Sequence, residues 1–188
     1  MYTPPAFRIE DLPRVHQMMR AARIATFVTA TADGLVGTPL PFVIAADEGE
    51  YGTLYAHLAR ANPQWTTPPV GDAMAIFMGP EGYVTPSWYA TKRETGRVVP
   101  TWNYAAVHAY GPVEFFDDPD RLHDAVRRLT ELHEQPRPAP WAVTDAPADY
   151  MASQIKGIVG VRMPIRRIDG KLKMSQNRSA ADRAGVAA

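Results

Sequence analysis

Cysteine is absent from this chain of 188 residues, which excludes disulfide bonds, thiolate metal sites and cysteine nucleophiles. An excess of basic residues is also missing, because Lys plus Arg and Asp plus Glu number 20 each and the formal net charge is zero. Nucleic-acid-binding proteins generally carry a basic surface, whereas the arginines here are scattered apart from Arg127-Arg128 and Arg166-Arg167. The composition therefore argues against a nucleic-acid partner.

Long apolar runs and several catalytic motifs are missing as well. No apolar run approaches the ~18 residues of a membrane span, and the opening MYTPPAFRIEDLPRV has neither an apolar signal core nor a basic leader. No glycine-rich phosphate loop, serine elbow or helix-turn-helix pattern is present, and the histidines match no zinc spacing. We expect a soluble cytoplasmic protein without a membrane partner.

Proline, in contrast, is abundant: 18 residues are about twice the usual ~5%, which favours short elements and stiff loops. Periodicity and turn residues predict the following elements. The N-terminal half is predicted to contain a helix over 11–23, a hairpin that turns at Asp33-Gly34 and has Pro39 and Pro41 on an edge or interrupted strand, a strand TLYAHLA, a buried strand DAMAIFMG and a shorter strand in EGYVTPSWYA that breaks at Pro86. The C-terminal half is predicted to contain a long strand PTWNYAAVHAYGPVEFF, a linker EQPRPAPW, a short helix in YMASQIKG and a last long strand IVGVRMPIRRI. Between the long strand and the linker we predict a helix from Pro119 to Glu134, with Leu122, Val126, Leu129 and Leu132 on one face.

Six or more strands separated by short turns, with helices at the start and in the middle, predict a mainly β fold: a small barrel with peripheral helices. The chain shows neither an internal repeat nor a second block of different composition. We therefore predict one domain over 1–188, which ends in a polar tail from about 175 to 188.

The stretch YAHLARANPQW places polar groups where a strand ends, a location at which a rigid scaffold presents side chains to a pocket. Neutral imidazole at His57 suits a metal or haem iron, and Arg60 suits a phosphate or propionate. Asn62 and Trp65 follow in the same turn. The alternative is structural, with a satisfied histidine and an arginine that pins the loop.

Residues 83 to 111 concentrate aromatic side chains around Lys92, Arg93 and Asn103. The aromatic residues are Trp88, Tyr89, Trp102 and Tyr104. Aromatic faces beside cations suit a flat conjugated ligand with anionic groups. Strict alternation along a strand explains Trp102 and Tyr104 equally well as core residues.

The third polar cluster, in KLKMSQNRSAADRAGV, contains Ser175, Gln176, Asn177 and Arg178. It caps a cofactor or simply ends the domain in a polar helix, for which Ser179 is a suitable N-cap.

These stretches resemble the PaiB-like proteins of the FMN-binding split-barrel superfamily. HLARANPQW, YVTPSWYATK, VVPTWNYAAVHAYG, IVGVRMPI and KMSQNRSAADRAGV look like signature stretches of that family, in its order. The resemblance implies a split β-barrel like that of pyridoxamine phosphate oxidases, which dimerise and bind flavin at the subunit interface. By resemblance we expect a homodimer with two equivalent pockets.

One subgroup that looks like PaiB proteins comprises haem-dependent piperazate synthases, which cyclise N5-hydroxy-L-ornithine to piperazic acid by forming an N–N bond. The resemblance implies haem b as cofactor, His57 as axial iron ligand and an amino acid as small-molecule substrate. Lys92, Tyr89 and Tyr104 are the candidates for proton transfer. The remaining candidate cofactor contacts are Arg60, Asn62, Trp65, Trp88, Trp102, Asn103, Gln176 and Arg178.

Two other functions stay open. The family resemblance also implies an FMN-binding transcriptional regulator or a flavin-dependent oxidoreductase, for which several Arg or Lys residues must converge on the FMN phosphate. A third possibility is a protein without catalytic activity that senses haem or flavin and acts through protein partners.

Overall fold

The computed structural model describes residues Met1 to Ala188 and contains ten strands, five α-helices and four 3₁₀ turns. The strands are β1 (Arg8–Ile9), β2 (Ile24–Thr31), β3 (Gly34–Pro41), β4 (Val43–Ala45), β5 (Thr53–Ala59), β6 (Ala73–Val84), β7 (Thr101–Gly111), β8 (Glu114–Phe116), β9 (Ile158–Pro164) and β10 (Arg167–Lys173). The helices are α1 (Leu12–Ala22), α2 (Ala90–Thr95), α3 (Pro119–Glu134), α4 (Ala148–Lys156) and α5 (Ala180–Ala187). The 3₁₀ turns are Pro5–Phe7, Pro63–Trp65, Pro86–Trp88 and Val143–Asp145.

The prolines account for many of these boundaries. Three of the four 3₁₀ turns and helix α3 begin at a proline, whose fixed φ suits a first helical position and whose missing N–H is not needed there. No helix is both long and apolar enough to cross a membrane.

The chain forms two compact units, neither of which is continuous in sequence. Unit 1 comprises Met1–Ala22, Met78–His108 and Asp169–Ala188, and unit 2 comprises Arg23–Phe77 and Ala109–Ile168. The sequence predicts a single domain and shows no boundary, because segments of both units alternate along the chain.

Unit 2 contains the antiparallel sheet β4-β5-β9-β8. Strands β5 and β9 pair from Thr53↔Pro164 to Ala59↔Ile158. Alternate residues of both strands are fully buried, because successive side chains of a strand point to opposite faces. The buried residues of this face are Leu54, Ala56, Leu58, Val159, Val161 and Met163. A second apolar cluster joins Phe116 of β8 to α3 and α4 and contains Leu122, Ala125 and Ile155.

The predicted hairpin is confirmed within unit 2: β2 and β3 pair from Ile24↔Pro41 to Thr31↔Gly34. Strand β2 pairs on its other side with Ala75 and Phe77 of β6, so β3 is the edge strand of the order β6-β2-β3. Pro39 and Pro41 lie on this edge strand, as predicted. An edge strand tolerates proline because it has a neighbouring strand on one side only, so that a missing N–H need not interrupt a ladder.

Unit 1 is built on the strand order β1-β10-β7-β6 and on α1, which matches the predicted helix and buries Val15 and Met19. The helix lies close to β10 at Gly170, where an added Cβ would be 2.9 Å from Val15 Cγ2. Ser179 is the N-cap of α5 and accepts a hydrogen bond from the Asp182 N–H at 3.2 Å, which confirms the predicted helix start.

Four strand predictions are wrong in their limits. DAMAIFMG and the start of EGYVTPSWYA form one continuous strand, β6, through Pro80. The predicted strand 100–116 ends at Gly111 and resumes at Glu114, and the predicted strand 158–168 is divided into β9 and β10. A tertiary contact decides both divisions: the Arg166 N–H donates to the Tyr110 carbonyl at 2.8 Å, and an added Cβ at Gly111 would be 1.9 Å from the Pro164 carbonyl oxygen.

Helix α3 has the predicted bounds, but its predicted apolar face is only partly covered. Leu122 is buried, whereas Leu132 is 40% exposed. The C-terminal half of α3 carries ion pairs of Arg127 with Asp124 and Glu131 at 2.6 and 2.8 Å. Periodicity identifies the apolar face of a helix, but it does not indicate how far neighbouring elements cover that face.

Candidate functional site

His57 lies in the middle of β5, on the face opposite the buried Leu54, Ala56 and Leu58. It pairs with Gly160 of β9, which in turn pairs with Phe116 of β8. An added Cβ at Gly160 would be 2.2 Å from the Phe116 ring, so this ring covers the backbone directly beside His57. The imidazole is half-buried on a rigid three-strand ladder next to an aromatic side chain.

The electrostatics of His57 favour the neutral imidazole. Burial lowers its pKa, and no charged neighbour opposes this effect. The imidazole makes no hydrogen bond or ion pair with another protein group, unlike most buried polar side chains. A neutral, partly buried imidazole without a protein partner has a lone pair for a metal or a hydrogen bond for a ligand.

Arg60 performs the structural role that the sequence left open. Its Nε donates to the Lys156 carbonyl at 2.8 Å and one terminal nitrogen donates to the Ile158 carbonyl at 3.1 Å. The other terminal nitrogen lies 3.6 Å from Asp117 Oδ2. The donors of the guanidinium group are therefore occupied within unit 2, which favours the structural interpretation; the assignment of Arg60 to a propionate or phosphate stays a prediction.

Asn62 and Trp65 also hold the turn together. Asn62 Oδ1 accepts from the Gln64 N–H at 2.9 Å and caps the turn Pro63–Trp65, while Trp65 Nε1 donates to the Arg60 carbonyl at 2.8 Å. Their assignment as cofactor contacts stays a prediction, but these hydrogen bonds favour the structural interpretation.

Gln64 was missed by the sequence reasoning. It is 1% exposed and joins Thr38, Thr29 and the Val36 carbonyl through hydrogen bonds of 2.6, 3.1 and 3.2 Å. A buried amide with this many partners fixes the turn to the β2–β3 hairpin. Only its position directly after Pro63 could have indicated the role.

A charged cluster on the outer face of the β5-β9-β8 ladder was missed as well. Tyr55 donates to Glu48 Oε2 at 2.5 Å and accepts from Arg162 Nε at 3.2 Å. Glu114 lies 2.7 Å from Arg121 and 3.6 Å from Arg162. Burial and the Glu48 hydrogen bond raise the pKa of Tyr55, and the Arg121 hydrogen bond lowers the pKa of Glu114.

This cluster borders a cavity of about 370 Å³, but it is not an anion site in this arrangement. Arg128 pairs with Asp124 at 2.7 Å and with Glu48 at 3.4 Å, and Arg121 and Arg162 both pair with Glu114. Carboxylates thus balance the guanidinium groups. A larger groove of about 650 Å³ lies beside α3 and α4 and is mostly apolar.

In unit 1 the predicted aromatic residues divide into exposed and buried ones. Trp88 and Trp102 are 47% and 50% exposed. The Trp102 ring meets the Tyr83 ring edge-to-face with centroids 6.0 Å apart. Exposed aromatic side chains of this kind provide a surface on which a flat ligand can stack, so these two residues remain suitable for the predicted role.

The three candidates for proton transfer differ in access. Tyr89 is 1% exposed and its buried hydroxyl has no hydrogen-bond partner, which leaves it without a route to a substrate in this arrangement. Tyr104 is half-buried beneath Lys171 Nζ, 4.9 Å from the ring centroid. Lys92 is exposed and donates only to Ser87 Oγ at 2.9 Å, so it is the candidate best placed to exchange protons.

The C-terminal polar cluster is integrated into unit 1. Asn103 Oδ1 accepts from Ser175 Oγ at 3.0 Å, and Ser175 has a positive φ of 61°. Gln176 bonds the Ala6 carbonyl at 3.1 Å and the Leu172 carbonyl at 2.5 Å, which favours a structural role. The Arg178 guanidinium lies 4.8 Å from the Tyr89 ring centroid.

Comparison with known proteins identifies the family. The model of a family described as "Putative FMN-binding domain" matches residues 1–167. The chain belongs to this family. It is also 31% identical over 183 residues to the protease synthase and sporulation protein PAI 2 of Bacillus subtilis strain 168, with 97% of this chain and 85% of the relative covered. Membership in the PaiB-like, FMN-binding group is thus confirmed.

Two solved structures share the fold of this family member. The flavocytochrome Anf3 from Azotobacter vinelandii matches with a TM-score of 0.64 at 16% identity, covering 95% of this chain and 75% of the other. The FAD and haem binding protein from Mycobacterium smegmatis matches with a TM-score of 0.62 at 15% identity, covering 94% and 78%. The predicted fold class, a mainly β split-barrel with peripheral helices, is confirmed.

Proposed function

We propose that this protein binds haem b through His57 and catalyses the formation of an N–N bond, with N5-hydroxy-L-ornithine as substrate and piperazic acid as product. One observation carries the proposal: His57 is a half-buried imidazole that burial keeps neutral and that no other protein group occupies. Metal ligation requires the neutral imidazole. Two solved structures with this fold, named as a flavocytochrome and as an FAD and haem binding protein, support the choice of haem as cofactor.

The proposed reaction is balanced without an oxidant or a reductant. One N–N bond forms between the α-amine and the hydroxylated nitrogen, one N–O bond breaks, and the hydroxyl group leaves as water with a proton from the amine. A bound haem iron supplies a Lewis acid that activates the N–O bond. Because both nitrogens belong to one substrate molecule, ring closure is unimolecular once the chain is folded back.

The protein's own side chains then have defined tasks. On unit 2, His57 would hold the iron from the β5-β9-β8 ladder. On unit 1, Trp88 and Trp102 offer exposed aromatic faces. On unit 1, Lys92 is exposed beside Ser87 and is the candidate that would take or give the proton exchanged between the departing hydroxyl and the attacking amine. Tyr104 is the second candidate for this step, whereas the buried hydroxyl of Tyr89 is not used.

We further propose a homodimer. Trp88, Trp102 and Tyr83 of unit 1 are each about half exposed, and aromatic side chains of this kind are enriched at subunit interfaces. Light scattering coupled to size-exclusion chromatography measures the mass directly, and a monomer at micromolar concentration would contradict this part of the proposal.

A second candidate function is FMN binding with a redox or regulatory role. The family model, described as a putative FMN-binding domain, favours FMN binding, and the name of the Bacillus relative, which refers to protease synthase and sporulation, favours a regulatory role. Unit 1 carries Arg93 on α2 and Arg97 just beyond it, both exposed and without an ion pair. Such cations suit a phosphate group.

The visible absorption spectrum of the purified protein, produced with haem supplied, tests the first proposal. We expect an intense Soret band that shifts when cyanide is added. His57→Ala should abolish it, and His123→Ala is the matched control, since His123 is an exposed imidazole on α3. Mass spectrometry of the reaction with N5-hydroxy-L-ornithine should then show loss of one water.

Other outcomes are equally informative. A flavin spectrum with FMN released on denaturation would replace the first proposal by the second. A Soret band that His57→Ala leaves unchanged would overturn the ligand assignment. Haem binding without turnover of the hydroxylated amino acid would overturn the proposed reaction but retain the cofactor.

A further inference from the structure

Helix α2, which carries Lys92, lacks an N-cap of its own. Its N-cap position is Tyr89, whose side chain makes no capping hydrogen bond. The cap comes instead from Asp182 on α5: one carboxylate oxygen accepts from the Thr91 N–H at 3.0 Å and the other accepts from Thr91 Oγ1 at 2.9 Å. An acceptor at this position satisfies a backbone donor that the first turn of a helix leaves free.

Two further contacts join α5 and the preceding turn to the same short segment. An added Cβ at Gly185 would be 2.0 Å from the Trp88 carbonyl oxygen, so only glycine permits the observed approach. Arg178 lies over the Tyr89 ring, and Tyr89 itself is buried. Asp182 is only 3% exposed, although it is a charged residue in the last turns of the chain.

We propose that Asp182 is a positioning residue: by capping α2 from α5 it fixes the segment Trp88–Lys92 and thereby the orientation of the Lys92 amine. For the task of Lys92 this inference rests on the proposed function, whereas the contact itself does not depend on it. Asp182 carries a buried carboxylate that makes two hydrogen bonds to one residue. It therefore restrains α2 more strongly than an exposed charge could.

Hydrogen exchange of the Thr91 amide tests the contact directly. Asp182→Ala should accelerate exchange at Thr91 on the order of tenfold, since a hydrogen bond to a charged group is lost, and should leave the β5 amides unchanged. Asp182→Asn keeps an acceptor for the Thr91 N–H and should restore most of the protection. Glu94→Ala is the matched control, because it removes an exposed carboxylate from α2 itself.

The orientation of Lys92 is measured by its reaction with an amine-reactive ester, followed by peptide mapping. Asp182→Ala should increase labelling of Lys92 severalfold, because release of α2 disrupts its hydrogen bond to Ser87, while Lys156 on α4 serves as internal reference. This readout needs neither haem nor substrate. In a haem-loaded enzyme the same variant should keep its Soret band and lose about tenfold in turnover, with Asp182→Asn retaining most of it.

Unchanged Thr91 exchange in Asp182→Ala would overturn the inference. Faster exchange without a change in Lys92 labelling would overturn the positioning role. If the wild-type protein binds no haem, the proposed function fails, and exchange and labelling still decide the role of Asp182.

Discussion

The ladder around His57 and the segment around Lys92 are held in place in different ways. His57 is fixed by β5, whose pairing with β9 extends from Thr53↔Pro164 to Ala59↔Ile158. The segment Trp88–Lys92 joins a 3₁₀ turn to a six-residue helix, and its hydrogen-bond cap is Asp182, which lies 91 positions after Thr91 in sequence. A cooperative sheet is difficult to perturb locally, whereas a short helix held by a few contacts with α5 and the preceding turn can be released alone.

Glycine-to-alanine substitutions measure this difference, and the larger effect is expected in the ladder. Gly160→Ala would place a Cβ 2.2 Å from the Phe116 ring, within a packed cluster. We expect the free energy of unfolding to fall by about 1–3 kcal/mol, as for overpacked cores, in urea titrations. Gly82→Ala is the control, because nothing lies within 4 Å of its added Cβ; an equal loss there would contradict the packing explanation.

Gly185→Ala creates a contact of similar severity, 2.0 Å from the Trp88 carbonyl oxygen, at the end of the chain. We expect α5 to separate from Trp88 while the global unfolding free energy changes by less than ~1 kcal/mol, since terminal elements open locally. Exchange at Thr91 should rise as in Asp182→Ala. If global stability fell as much as in Gly160→Ala, the two regions would not differ in the way inferred here.

The pH dependence of stability should distinguish His57 from exposed histidines. Burial lowers its pKa in the folded protein, so the unfolded chain, with a pKa near 6.5, binds the proton first as pH falls. The contribution of the neutral imidazole is present above the unfolded pKa and is lost as pH falls through the folded pKa. His57→Gln should flatten the stability profile in this range, as measured by urea titrations at several pH values; a profile identical to that of wild type would contradict the effect of burial on the imidazole.

The smallest effect is expected for the exposed charges on the ladder. Arg121 lowers the pKa of Glu114, so their attraction is present above the unfolded pKa near 4.3 and is lost as pH falls through the folded pKa. Both side chains are 43% exposed, and we expect Glu114→Gln to cost about 0.2–1 kcal/mol at neutral pH. If the unfolding free energy of Glu114→Gln followed the wild-type profile between pH 5 and pH 2, the ion pair would not contribute to stability.

Local sequence signals predicted the elements whose stability is local. TLYAHLA gives β5 with its observed limits, Asp33-Gly34 gives the hairpin turn, and α3 begins at Pro119. Alternation, turn chemistry and a helix-starting proline act within a few residues. The same reasoning missed the division of 158–168 into β9 and β10, because a contact with Tyr110 decides it.

The candidate site shows the same limit. His57, which begins the stretch HLARANP, could be identified from the sequence, as could the accessible Lys92. The sequence could not indicate that Arg60 donates to two backbone carbonyls, or that the Tyr89 hydroxyl is buried. Hydrogen-bond partners and burial depend on segments that are distant along the chain.

The amino-acid sequence by itself determined the mainly β class, the edge strand with its prolines and the position of His57 on a strand, because these depend on backbone preference and periodicity. Only the tertiary structure decided that burial lowers the pKa of His57, that Arg60 bonds two backbone carbonyls and that Asp182 caps α2. These properties arise from desolvation and from hydrogen bonds between residues that the fold brings together.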